Sequence, residues 1–232
     1  YLALRNANWL LKFQLKPDGG LWRTHKNGIS KIDGFLEDYA HTISALIALY
    51  EVTFDEAWLN KAKELTDYTV THFLDKKSGM FYFTQENTQL ISRKMEINDN
   101  VLPASNSVMA KNLYYLSKYF HDKKYSKLSL QMLANVYDGM EMYGSGYSNW
   151  AQLLNHEVFG LYEIVVVGAD VDEVIAEIQK RKLPRVLLAK SDGKSTLPIF
   201  DDKKSIVETM IYICKEGTCF LPTRDVDEAV NL

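Results

Sequence analysis

Apolar residues recur at the helical period from the amino terminus to about residue 160, then switch to short continuous runs of strand type. The sharpest example is Gly34 to Tyr50, where Leu36, Ala40, Ile43, Ile47 and Tyr50 fall at spacings of four and three, one buried face of a helix. A helix over roughly Leu4 to Leu15 precedes it and is stopped by Pro17-Asp18-Gly19-Gly20. Between the two, LWRTHKNGIS alternates weakly around Asn27-Gly28, a hairpin signal. Asp55 is placed to cap a further helix whose stripe is Trp58, Ala62, Leu65, Thr69 and Phe73. Lys76-Lys77-Ser78-Gly79 breaks that helix, and MFYFT after it predicts a short strand.

Pro103 then suits the first turn of another helix, with Met109, Leu113, Leu116 and Phe120 on its buried face. His121-Asp122-Lys123 turns the chain into a helix lined by Leu130, Leu133, Tyr137 and Met140. Tyr143-Gly144-Ser145-Gly146 ends it, and a last helix runs from about Ser148 to Phe159. Leu46, Leu49 and Trp58 recur 67 positions on as Leu113, Leu116 and Tyr125. A repeat of that length made of helix pairs predicts a helical solenoid or a closed α/α toroid. Its longer loops precede the first helix of each pair, on the side where such arrays meet ligands.

From about residue 161 the pattern is β-α-β. YEIVVV is a strand closed by Gly168, and Asp170 is placed to cap a helix with Val171, Val174, Ile175 and Ile178 inward. RVLLA is a second, parallel strand. Met210–Cys214 and Cys219–Leu221 form a hairpin around Lys215-Glu216-Gly217-Thr218, and Asp225 opens a terminal helix. The expected organisation is therefore mainly α: a partial α/α toroid of helical hairpins over 1–160, then a small α/β lobe over 161–232.

Hydrophobic content of 47% and charged content of 25% are those of an ordinary globular chain. A net charge of -3 gives no reason to expect nucleic acid or an anionic membrane as partner, and no apolar run is long enough to cross a bilayer. Two cysteines make no secreted framework, which favours a reducing, cytoplasmic setting. Cys214 and Cys219 can face each other across their hairpin; reduced, half-buried thiols are the favoured reading over a disulfide. The chain opens at Tyr1 in a helix already under way and reads as a piece of a longer protein.

Candidate chemistry gathers at two helix starts. Glu37 and Asp38 serve either as general acid and base or as caps favouring the helix's positive end. Trp22, Arg23, Tyr39 and His41 beside them would suit sugar hydroxyls. Arg93, Glu96, Asp99, Asn100, Ser105, Asn106 and Ser107 are either a binding cluster or a capping network. Trp9 and Trp58 fall on apolar stripes and are expected in the core. The single glycine after YEIVVV lacks the spacing of a dinucleotide site, and no Ser-His-Asp order, HExxH or phosphate loop occurs.

Taken in order, LWR, GFLEDYA, RKMEINDNVLPASNS, VVVG and YICKEGTCFLP resemble the carboxy-terminal part of the thioredoxin-domain-containing family related to spermatogenesis-associated protein 20. The resemblance implies a six-hairpin toroid similar to N-acylglucosamine 2-epimerases and glycosidases, preceded by a thioredoxin-like domain that is absent here. It matches Glu37, Asp38, Tyr39 and Ala40 to an acidic-Asp-Tyr-Ala stretch, and Arg93, Glu96, Asp99, Pro103, Asn106 and Ser107 to a second motif. Ala104-Ser105 stands where the family has Ser-Gly, a side chain that would narrow a cleft there. A full toroid has twelve helices, and residues 1–160 supply about six, so an apolar edge is expected.

The resulting expectation is a carbohydrate-binding or sugar-modifying fragment, epimerase-like or glycosidase-like, whose site lies at the loop end. Asp38 and His41 are its candidate catalytic residues; Trp22, Arg23, Tyr39, Arg93, Asp99 and Asn106 are its candidate substrate-binding residues. A small sugar is the expected ligand, without metal or cofactor, and homodimerisation or docking to the missing amino-terminal portion is expected at the open edge. The alternative is a non-catalytic scaffold working with the absent thioredoxin-like domain.

Overall fold

A computed structural model describes residues 1–86, 92–203 and 208–231. Ile91, which opens the second motif's stretch ISRKMEIND, lies outside the described residues. The backbone groups into two compact units, Tyr1–Leu116 with Lys123–Leu153, and Ser117–Asp122 with Leu154–Leu232. Among the described residues no helix is long and apolar enough to cross a membrane.

The first unit is built of helices: α1 (Leu2–Phe13), α2 (Leu36–Thr53), α3 (Glu56–His72), most of α4 (Ser105–Tyr119), α5 (Lys123–Met142) and the start of α6 (Ser148–Phe159). The periodic stripe of α2 is the core as expected, with Leu36, Ala40, Ile43, Ile47 and Tyr50 all buried. Trp58, Ala62, Leu65, Thr69 and Phe73 of the next helix face it and are buried too. Two buried hydroxyls on that helix, Thr66 and Thr69, are satisfied by the carbonyls of Ala62 and Thr66. Asp55 caps α3 through a 3.0 Å bond from the Ala57 N–H.

The Asn27-Gly28 hairpin forms as the sequence predicts. Strands β1 (Trp22–Lys26) and β2 (Ile29–Asp33) pair antiparallel, with Lys26 opposite Ile29. Asn27 and Gly28 both take positive φ, 53° and 76°, the turn geometry that follows the strands' own twist.

Several expectations are corrected. MFYFT makes an isolated bridge, Leu74 to Phe81, rather than a strand: the N–H groups of its own Phe81 and Phe83 go to the Asn106 side chain and the Lys94 carbonyl instead of a continuous neighbouring strand. Pro103 stands two residues ahead of α4, which begins at Ser105. Trp9 is 41% exposed, set edge-on to His25 rather than in the core. In α5 the buried stripe is Tyr125, Ser129, Met132, Leu133 and Val136, whereas Leu130 and Tyr137 are exposed. The helix is rotated so that Ser129 reaches the Ala110 carbonyl and Tyr125 reaches Asp67, polar contacts that the apolar pattern alone does not reveal.

The second unit carries a four-stranded sheet in the order β4-β3-β5-β6, made of β3 (Tyr162–Val167), β4 (Val186–Ser191), β5 (Met210–Lys215) and β6 (Thr218–Cys219). β3 and β4 are parallel, joined through α7 (Val171–Gln179), while β5 and β6 run antiparallel. Asp170 precedes α7 at the cap position, but its side chain makes no cap bond. Asp225 does cap α8 (Val226–Val230), accepting from the N–H groups of Asp227 and Glu228.

The reduced-thiol reading is overturned: Cys214 and Cys219 form a disulfide. Glu216 and Gly217 take positive φ in a two-residue turn, which sets Cys214 opposite Cys219. The neighbouring Phe220 N–H bonds to the Ile213 carbonyl, so the cysteines occupy the closer, non-hydrogen-bonded pair with Cα atoms 3.9 Å apart.

Candidate functional site

β1 and the first turn of α2 bring Trp22, Arg23, Glu37, Asp38 and His41 round one concavity of about 430 Å³. Gln14 fixes β1 there by donating to the carbonyls of Trp22 and Arg23, each at 3.1 Å. Arg23 directs a single nitrogen, Nη1, at both carboxylates, 2.7 Å from Glu37 and 2.8 Å from Asp38. Its guanidinium lies over the Phe35 ring at 4.8 Å. Asp38 also accepts the Phe35 N–H at 2.8 Å, so it caps α2 while it faces the cavity. The capping reading of Asp38 thus holds, and the same side chain lines the cavity.

Burial pushes the Asp38 carboxyl above the ordinary carboxylate range, against the opposing pull of the Phe35 N–H and Arg23. Arg23 is held still more firmly charged, first by its bond to Glu37. Trp22 is half-buried, and the Lys16 ammonium lies 4.8 Å from its ring centre.

The other candidates do not join this cavity. Tyr39 is fully buried: its hydroxyl accepts the Leu21 N–H at 2.8 Å and its ring stacks on Tyr68 at 5.4 Å. Burial drives its phenol pKa far up, so it stays neutral. Arg93 donates to the Thr84 carbonyl through Nε and Nη2 and stacks on Tyr82 at 4.0 Å, closing its own loop.

Asp99 and Asn106 are corrected from ligand contacts to framework. Asp99 is buried and accepts from the Ala104 N–H, the Ser107 hydroxyl and the Asn149 N–H, tying the start of α4 to the start of α6. Asn106 is fully buried, with its amide on both backbone groups of Phe81 and on the Glu96 carbonyl. For this second cluster the capping reading holds.

Sequence reasoning passed over Glu51, Lys111, Tyr115 and Asn149, which line a second concavity of about 250 Å³ with His41. Lys111 donates to Asn149 at 3.0 Å and to Gln152 at 2.7 Å. Burial lowers its ammonium pKa, with Asp99 opposing. Burial and Glu51 raise Tyr115 to about 12. The available signal was the helical spacing of His41, Ser44, Ala48 and Glu51, a second face of α2 beside its apolar stripe. A third, apolar groove of about 540 Å³ runs between α1 and α2, lined by Ala7, Leu10, Leu11, Ala45, Ala48 and Val52. Exposed His41 borders all three.

No protein-family model matches the chain. It is similar to spermatogenesis-associated protein 20 of Homo sapiens, 25% identical over 212 residues, covering 86% of this chain and 27% of that protein. The same protein of Rattus norvegicus gives the same figures. An uncharacterized protein of Caenorhabditis elegans, B0495.5, is 24% identical over 217 residues, covering 89% of this chain and 29% of that one. The chain thus spans little more than a quarter of the length of the curated relatives it matches. Among solved structures, a GH76 α-mannanase of Bacteroides thetaiotaomicron, BT2949, is similar over 50% of this chain and 31% of its own, at 20% identity and a TM-score of 0.41.

Proposed function

We propose that the first unit binds a small polyhydroxylated ligand, a mono- or disaccharide, in the concavity between β1 and the start of α2. The observation that carries this reading is the Arg23 nitrogen shared by Glu37 and Asp38 at the wall of an open cavity. Fixed carboxylate acceptors beside a guanidinium with five N–H donors match the paired donor and acceptor character of vicinal hydroxyls. Trp22 supplies an apolar ring edge, and exposed His41 stands at the junction with the neighbouring concavity. If a bond is made or broken in the ligand, Asp38 is the proton carrier of choice, because burial brings its pKa toward the working range. His41 is the second candidate for that transfer.

The test is a melting-temperature screen of the chain against mono- and disaccharides, repeated with Asp38→Asn and Arg23→Met. A sugar at 100 times its dissociation constant adds about 2.7 kcal/mol to folding stability. A shift that both variants abolish supports the reading; no shift with any sugar at millimolar concentration removes it.

The apolar groove between α1 and α2 favours a second reading, an interaction domain that closes this groove with a second copy or with a segment of a longer chain. Sedimentation across micromolar concentrations separates the two: a mass that rises with concentration supports the interaction domain.

A further inference from the structure

Three side chains stand in a row across the sheet of the second unit: Glu163 on β3, Cys214 on β5 and Cys219 on β6. Glu163 is the cross-strand partner of Cys214, and Cys214 of Cys219, so all three lie on one face. Directly opposite residues hold their Cβ atoms about 4.5–5.5 Å apart, so Glu163 and Cys214 are side-by-side neighbours on that face. This face opens into a concavity of about 540 Å³ lined by the disulfide, Glu163, His121, Lys203 and Phe220. The two sulfurs differ in access: Cys214 is 1% exposed, whereas Cys219 lies in the exposed hairpin end.

We propose that the Cys214–Cys219 disulfide is a thiol-exchange site rather than a structural staple, with Cys219 the sulfur attacked and Glu163 the proton carrier for Cys214. The co-reactant is a dithiol. Its first thiolate attacks Cys219 Sγ; the Cys214–Cys219 bond breaks, and Cys214 leaves with the electron pair and takes a proton from the Glu163 carboxyl. The second thiol of the reductant then attacks its own sulfur in the mixed disulfide, closing the reductant's disulfide and releasing Cys219, which is protonated from solvent. Two electrons and two protons pass from the dithiol to the protein, and solvent reprotonates Glu163. Oxidation runs the same steps backwards, with Glu163 as base.

The surroundings suit that role. Glu163 is buried on a sheet face, and burial raises its pKa toward a form that holds a proton. Lys118, His121 and Lys203 act on it in the opposite sense, favouring the charged carboxylate. Lys203 is itself buried, its ammonium pKa lowered by burial and sustained by Glu163, Asp201 and Asp202. Tyr212 completes the groups that face the cavity. A staple that only closes a hairpin needs neither a buried acid beside its inner sulfur nor an open hollow in front of it.

The experiment follows opening of the bond in the 232-residue chain by dithiothreitol at pH 7, with alkylation and mass measurement, while circular dichroism reports the fold. The disulfide opens and recloses with the spectrum unchanged, and Glu163→Gln slows opening by about tenfold. That is less than the roughly 10²–10⁴ usual for acid–base groups, because a thiolate leaves readily. Cys214→Ser takes up oxidised glutathione on Cys219 at least about tenfold faster than Cys219→Ser does on Cys214, access being decisive for exchange. Opening only when the chain unfolds overturns the proposal, as do equal uptake by the two serine variants and an unchanged rate in a folded Glu163→Gln chain. Should Glu163→Gln fail to fold, the serine pair decides alone.

Discussion

Asn106 holds both backbone groups of Phe81 on one side-chain amide: its Oδ1 accepts the Phe81 N–H at 2.8 Å and its Nδ2 donates to the Phe81 carbonyl at 2.9 Å. The same Nδ2 reaches the Glu96 carbonyl at 2.9 Å. The amide thus replaces the neighbour that a strand at MFYFT would have needed, and it does so from the first turn of α4. Asn106→Ala leaves the two buried backbone groups of Phe81 and the half-buried Glu96 carbonyl without this partner. Each such loss costs about 1–3 kcal/mol, so the variant loses about 3–5 kcal/mol in urea unfolding. A loss below 1 kcal/mol would mean that the loop closes without it.

Asp99 gives a second test of framework against ligand contact. Its carboxylate only accepts, from two N–H groups and the Ser107 hydroxyl. Asp99→Asn turns one oxygen into a donor facing a donor, and folding stability drops by about 2–4 kcal/mol. Sugar binding by whatever remains folded is unchanged; a variant of wild-type stability that no longer binds would return Asp99 to the site.

Arg23→Met separates the same two roles with the opposite outcome. The ion pairs are partly solvated, with Arg23 34%, Glu37 31% and Asp38 26% exposed, and exposed pairs contribute at most about 1 kcal/mol. The melting temperature therefore moves little. Ligand affinity falls at least about tenfold, since a hydrogen bond to a charged group is worth about 1.5–3 kcal/mol. Isothermal calorimetry with the sugar that gives the largest melting shift reads this directly.

What the sequence disclosed, and what it hid, divides along range of interaction. The α2 and α3 stripes, the Asn27-Gly28 and Glu216-Gly217 turns and the Asp55 and Asp225 caps are set by neighbours a few residues away, and they were legible. Trp9, Leu130 and Tyr137 look the same in pattern as Trp58 or Leu133, yet they are exposed, because which turn of a helix meets its partner is decided by residues far along the chain. The candidate site shows the same division. Trp22, Arg23, Asp38 and His41 meet because a short hairpin feeds directly into α2. Tyr39, adjacent to Asp38, points the other way by helix geometry alone, a separation the 3.6-residue period would have foretold. Lys111 and Glu51 share a concavity only once α4 is set beside α2, a long-range pairing that the spacing along either helix does not give.

Asp38 offers a test by pH, and its sign follows from burial. Its folded pKa lies above the unfolded value of 3.8, because loss of solvent outweighs the help of Phe35 and Arg23. The folded protein therefore binds this proton more tightly than the unfolded chain does. The stability that this brings is complete below pH 3.8 and is lost as pH rises through the raised folded pKa. Asn at this position carries no such term and keeps an oxygen for the Phe35 N–H. The stability of Asp38→Asn relative to wild type accordingly rises from pH 3.8 upward and levels off once Asp38 is fully ionised. Urea unfolding of both proteins between pH 3 and pH 7 measures that difference. A relative stability that falls over the same window would mean that Arg23 outweighs burial, and Asp38 would then be a fixed charge with no capacity to carry a proton.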